Sequence, residues 1–164
     1  MAGVNRSTNR FKEVRSALSR AIEAGLINVG MQIVSEAEAR CPRDTGRLAG
    51  SITWATAEQH SQPTGEAKPG DGVQHDGTPN TVMAGTNVEY ATHVEYGTAP
   101  HEIRPKNKKA LFWKGAEHPV AVVHHPGTAA QPFLRPGFEA VRPKAQKIFK
   151  AQVDQSLAKF GVMK

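Results

Sequence analysis

The chain holds one cysteine, Cys41, among 164 residues, so no intrachain disulfide can form and the fold must hold by packing or by assembly. That usage fits a reducing compartment. Aromatic residues are 6% and hydrophobic residues 38% of the total, a lean supply for the core of a single domain spanning residues 1–164. No apolar run approaches the roughly 18 residues that a membrane span needs; the longest, Pro119 to Val123, reads PVAVV. A soluble chain with no membrane partner is expected. The Arg- and Ser-rich start resembles a transit peptide in composition, yet Glu13 and Glu23 interrupt it and its pattern runs on past residue 20, so it reads as helix.

Recognisable catalytic patterns are also missing. There is no G-x-S-x-G elbow, no P-loop, no zinc-finger spacing and no helix-turn-helix signature. Cys41 sits at a helix end with no partner suggested, and nothing separates Glu89, Glu95 and Glu102 in VEYGTAPHE from solvated charge. Among the seven histidines, His118 and His124 stand at even separation around a candidate strand, but no cysteine is near and the spacing matches no ligand set. The expectation is no enzyme, no metal and no cofactor.

What is present is positive charge and helical periodicity. Formal net charge is +6, which admits an anionic partner such as nucleic acid but is equally explained by solubility. Phe11, Val14, Leu18, Ile22, Leu26, Val29, Ile33 and Ala37 recur by three or four, predicting a helix of roughly 30 residues capped by Asn9 and stopped before Pro42. At about 45 Å it is longer than a small domain can bury. PRDTGRLAGSI then predicts a turn, capped by Asp44 or Thr45, and a short helical turn carrying Leu48 and Ile52 inward. A strand follows from near Ser51, and TVMAGTN is a second strand that could pair back antiparallel. Between them, residues 59–80 read as an exposed flexible loop or hairpin arm.

VEYATHVEYGT predicts a short helix ended by Gly97, and HEIRPKNKKALFWKG with HPVAVVHHP a hairpin whose first arm is basic. Its lysines and the neighbouring Phe112 and Trp113 suit either a nucleic-acid grip or an edge strand guarded against pairing. From Phe138 the pattern Val141, Ala145, Ile148, Val153, Leu157, Phe160 is helical, with Pro143 kinking it or beginning its main part. The fold class is α+β: a long N-terminal helix, a small antiparallel sheet with a short helix inserted and a long hairpin loop, and a C-terminal helix.

The stretch HHPGTAAQPFLRPG, His124 to Gly137, is the least ordinary. Pro126, Pro132 and Pro136 stiffen a loop, also holding two glycines, that carries Phe133 and Leu134, two side chains that must be covered either by their own sheet or by a neighbouring chain.

Four pieces in order, CPRDTGRLAGSI behind a long helix, YATHVEYGTAPHEIRP, HHPGTAAQPFLRPGFEAV and a terminal amphipathic helix, resemble the neck or tail-completion proteins of long-tailed bacteriophages. The resemblance covers nearly the whole chain. It implies a non-enzymatic virion structural protein of the head-tail junction, assembled in the host cytoplasm, with DNA passing through the completed neck. It further implies a homo-oligomer, a hexameric ring for preference, whose partners are other neck proteins such as head-completion and tail-terminator proteins. On that resemblance Pro42, Asp44, Thr45, Gly46 and Leu48 form a structural turn, while Tyr90, Val94, Glu95, Pro126, Phe133, Leu134 and Pro136 make subunit or partner contacts. Gly137 departs from the pattern, standing where a helix former is more usual. A basic nucleic-acid-binding module is the alternative reading.

Overall fold

A 38-residue helix, α1 (Gly3–Arg40), runs roughly 57 Å, and the two C-terminal helices and the first strand pair lean on it. The computed structural model describes residues 3–115 and 117–159, with backbone only for 3–9. Asn9 therefore lies inside α1 rather than capping it, and Phe160 lies outside the described residues. After α1 come α2 (Arg47–Ser51), β1 (Thr53–Ala55), β2 (Met83–Gly85), α3 (Ala91–Tyr96), β3 (His101–Ile103), β4 (Val123–His125), α4 (Leu134–Val141), a 3-10 turn (Arg142–Lys144) and α5 (Ala145–Lys159). The α+β order expected from the sequence is present, but the strands form two separate antiparallel pairs, β1–β2 and β3–β4, rather than one sheet. Thr53 faces Gly85 in the first, and His101 faces His125 in the second.

The face that α1 buries is not centred where the large apolar residues predict. Ala17, Ala21, Gly25, Gly30, Ile33 and Ala37 are buried, whereas Phe11, Val14 and Leu18 are exposed, Phe11 to 74%. Close approach explains the shift, because neighbouring elements seat on α1 where its side chains are small. A Cβ on Gly25 would stand 2.7 Å from the Phe149 ring of α5, and one on Gly30 would stand 2.7 Å from Val82 and 2.9 Å from Trp54 of the first strand pair. Asn28 donates to Gln152 at 3.2 Å beside the first of these notches.

The third notch lies at Ala37, and it explains Gly137. A Cβ on Gly137 would meet the Ala37 backbone nitrogen at 2.8 Å and its Cα at 2.9 Å, so α4 crosses α1 backbone to backbone. Around this crossing Ala37, Cys41, Leu48, Ala49, Ile52, Val88, Ala91 and Phe133 form the core. Only one aromatic side chain belongs to it, in keeping with the lean composition. Burial pushes the Cys41 thiol up to about 11, with Arg43 opposing, so the sole cysteine is held as a neutral apolar filler.

Residues 59–80 form no regular element, yet they are tied to the body. Ser61 exchanges main-chain and hydroxyl bonds with Trp54, Thr64 N–H donates to Gly50 O at 2.8 Å, and Val73 N–H donates to the Thr53 hydroxyl at 2.7 Å. Arg47 grips Asp71 through two 2.8 Å bonds. The guanidinium bonds, joined by Lys68 N–H, hold the Asp71 carboxyl down to about 2. At the far end Pro143 lies in the 3-10 turn between α4 and α5, the kink that proline demands.

Because Gly137 has no room for a side chain, Gly137→Val is expected to lose about 2 kcal/mol or more by overpacking. The gain in helix propensity from replacing glycine does not offset it. Urea unfolding followed by far-ultraviolet circular dichroism measures the difference; equal midpoints for the two proteins would refute the crossing.

Candidate functional site

Helix α4 begins at Phe133 without a serine, threonine, aspartate or asparagine to cap it. A helix start leaves four backbone N–H groups unpaired, and here the sequence disposes of all of them. Glu95, from the last turn of α3, accepts from Phe133 N–H at 2.8 Å and Leu134 N–H at 2.9 Å through Oε2, and from Arg135 N–H at 3.0 Å through Oε1. The fourth position is Pro136, which has no N–H, and Gly137 N–H makes the first helical bond back to Phe133 O at 3.1 Å. The carboxylate is 6% exposed. Burial pushes its pKa up, but the three N–H donors and the Arg135 charge together outweigh that, and the net shift is downward. The group is thus neither a solvated charge nor an acid in waiting. It is a buried anion fixed at the positive end of a helix.

That cap decides where the proline-rich loop goes. Phe133 is 1% exposed within its own chain, so of the two covers open to it the protomer itself supplies one. Leu134 is half-buried and packs against the same core. Upstream, Gln131 N–H donates to Val94 O at 2.8 Å, and Thr98 and Thr128 exchange main-chain bonds of 2.9 and 3.2 Å. The two Gly-Thr dipeptides pair with each other because Gly97 and Gly127 both adopt positive φ, 72° and 88°. A Cβ on either would strike the opposite carbonyl oxygen.

The three sequence pieces therefore converge. Pro42, Asp44, Thr45, Gly46 and Leu48 from the turn, Tyr90 and Val94 from α3 and its start, and Thr128, Ala129 and Gln131 from the loop surround a groove of about 410 Å3. Gly46, at φ 87°, opens α2, and Thr45 Oγ1 accepts from Arg47 N–H at 3.3 Å. Leu48 is buried, Tyr90 is exposed, and Pro126 is exposed where β4 ends. Glu95 itself helps to line a second groove, of about 470 Å3, whose apolar walls include Ile33, Val82, Phe133 and Phe138. Tyr96 and Phe138 are exposed at its mouth.

Sequence reasoning passed over Asp71 and Arg47 altogether, and grouped Glu95 with contacts rather than with caps. The legible signal was a carboxylate inside a short apolar helix combined with a later helix start that lacks its own cap. The histidines bond locally: His101 and His125 rings stack at 5.0 Å, and His124 meets Glu102 at 3.4 Å. Among the described residues no group of three metal-ligating side chains occurs, and no helix is long and apolar enough to cross a membrane.

A family model described as "Bacteriophage HK97-gp10, putative tail-component" matches residues 5–97, more than half of the chain, from the first turns of α1 to the end of α3. No curated protein and no solved structure matches.

Glu95→Gln removes the charge and turns an amide toward three donors, with an expected loss of about 1–3 kcal/mol. Because the folded pKa is depressed below the ordinary 4.5, the ionised cap contributes fully above that value and its contribution is lost as pH falls through the folded pKa. The stability gap between wild type and Glu95→Gln should accordingly be constant near neutrality and shrink in acid. Denaturant midpoints measured across that range check it, and a gap independent of pH would count against the cap.

Proposed function

As this chain belongs to the HK97-gp10-like family of bacteriophage tail components, we propose that it is a non-enzymatic structural part of the virion at the head-tail junction. There it assembles as a ring, six subunits being the favoured number, with head-completion and tail-terminator proteins as neighbours and DNA passing through the channel. The observation that carries this reading is the distribution of uncovered apolar surface. Phe11, Val14 and Leu18 on α1, Tyr96 and Phe138 at the larger groove, and Phe112 and Trp113 on the second hairpin are exposed in three separate places. An isolated domain gains nothing from such patches, whereas a subunit with two unlike neighbours needs more than one. Contacts within a ring are heterologous, so patch and acceptor are different surfaces.

Phe133 supports the reading less directly than its sequence context suggests, since its side chain is spent inside the protomer. Leu134, Tyr90 and Pro126 keep exposed or half-exposed surface and remain the contacts proposed from the three convergent pieces. The nucleic-acid alternative draws on the lysines beside Phe112 and Trp113; a binder of that kind is a monomer or dimer whose affinity falls steeply with salt.

Deleting the gene and viewing the lysate by electron microscopy tests the junction role. Separated filled heads and tails are expected, restored to joined particles by the gene supplied in trans. Normal infectious particles from the deletion would refute the proposal.

A further inference from the structure

Charge along this chain is segregated. Residues 56–100 hold six acidic side chains and a single lysine, while residues 101–164 hold twelve lysines and arginines against four acids. Some of this charge is already paired: Asp71 with Arg47, Glu102 with Arg104, Glu139 with Arg142 and Asp154 with Lys150. Other charges outside these pairs are spread over the chain, and two places carry an excess of one sign. Lys106, Lys108, Lys109 and Lys114 are exposed beside Glu117 on the arm between β3 and β4, and Glu58 and Glu66 are exposed beside Lys68 in the tied loop.

Each place also carries an apolar feature. The hairpin is amphipathic: Ile103 and Val123 face one another in register and, with Leu111, Phe112 and Trp113, line an open apolar depression of about 310 Å3. Phe112 is 67% and Trp113 51% exposed. A two-stranded hairpin with one bare apolar face is marginal in water. Beside the tied loop, Met31, Val34, Ile52 and Trp54 line a second depression, of about 210 Å3, whose rim includes Glu38 and the loop residues Ser61, Gln62 and Thr64. Desolvation there raises the Glu38 pKa despite Arg43, so the rim already feels a partly dry surrounding.

We infer that the occupant of this second depression is the basic hairpin of a second copy of this chain, with Phe112 and Trp113 entering the Met31–Trp54 hollow and the lysines meeting Glu58 and Glu66, which flank in sequence the loop residues at its rim. The two surfaces are different, as a ring contact requires, and two hairpins repel each other, which excludes a face-to-face dimer through them. Rims of opposite charge around apolar centres are the ordinary anatomy of a specific interface. The inference rests on the ring reading and deepens it by naming the contact.

Three full-length variants, supplied in trans to the deletion phage, test it: Lys108→Glu with Lys109→Glu, Glu58→Lys with Glu66→Lys, and all four together. All four sites are exposed, so thermal melts of the purified proteins should coincide with wild type. Each pair alone is expected to cut incorporation into particles about tenfold, and the four-fold variant to restore it, since opposite charges again face one another. Chemical cross-linking of purified particles reports the ring independently. A cross-linked ladder from wild type with no effect of any variant overturns the contact and leaves the ring standing. No ladder from wild type overturns both. A loss confined to the hairpin variant, unrepaired by the four-fold change and accompanied by weaker retention on DNA, assigns the lysines to nucleic acid and also overturns the contact.

Discussion

Three backbone N–H groups converge on one carboxylate, and most of the architecture depends on that convergence. Glu95 joins α3 to the start of α4, and α4 is what closes the core over Ala37. Without the anion, α4 would begin with three unsatisfied donors in a dry site, since neither Phe133 nor its neighbours can cap. The cap also fixes Phe133, whose burial is worth about 2–3 kcal/mol and which is the largest fully buried side chain described. A short helix, a stiff loop and the kinked end of the chain are thereby made one unit through a single side chain.

A chain with few large apolar residues needs close approach to gain stability, because dispersion falls off steeply with distance. The long helix meets this need with notches rather than knobs. Gly25 receives a ring from α5, Gly30 receives the first strand pair, and Ala37 receives the backbone of α4. Spending small residues inward leaves the large ones of the same helix outward, so Phe11, Val14 and Leu18 stay bare. The exposed stripe is thus a consequence of how the protomer packs, and it is available for a neighbour without cost to the fold.

Much of the order of elements was legible because it is local. The end of α1 before Pro42, the turn at Gly46, the stop of α3 at Gly97 and the break at Pro143 each follow from residues adjacent in sequence. The buried face of α1 was not, since periodicity weighs large side chains and here the neighbours chose small ones. The division into two strand pairs was also hidden, because short strands carry no signal of which partner lies beside them. The Glu95 cap spans 38 residues and the Arg47–Asp71 pair 24; a carboxylate's role at such range depends on tertiary proximity that composition cannot supply. Gly137 was visible as an oddity, and only the Ala37 backbone explains it.

Net charge and charge arrangement act in opposite directions on this molecule. At +6 overall, free subunits repel at distances comparable to the Debye length, about 8 Å at physiological salt. That repulsion is isotropic and keeps encounters between misaligned copies brief. Residues 56–100, with six acids against one lysine, and residues 101–164, with twelve bases against four acids, give the proposed ring contact a small set of attractive orientations in spite of it. For the ring proposed above both properties act together: subunits would stay apart in random approach and join where an acidic surface meets a basic one. The same separation of charge keeps the hairpin lysines away from the internal ion pairs that hold the loop, so those pairs survive whether or not a neighbour is present. Stability of the protomer and readiness to assemble are therefore carried by different residues.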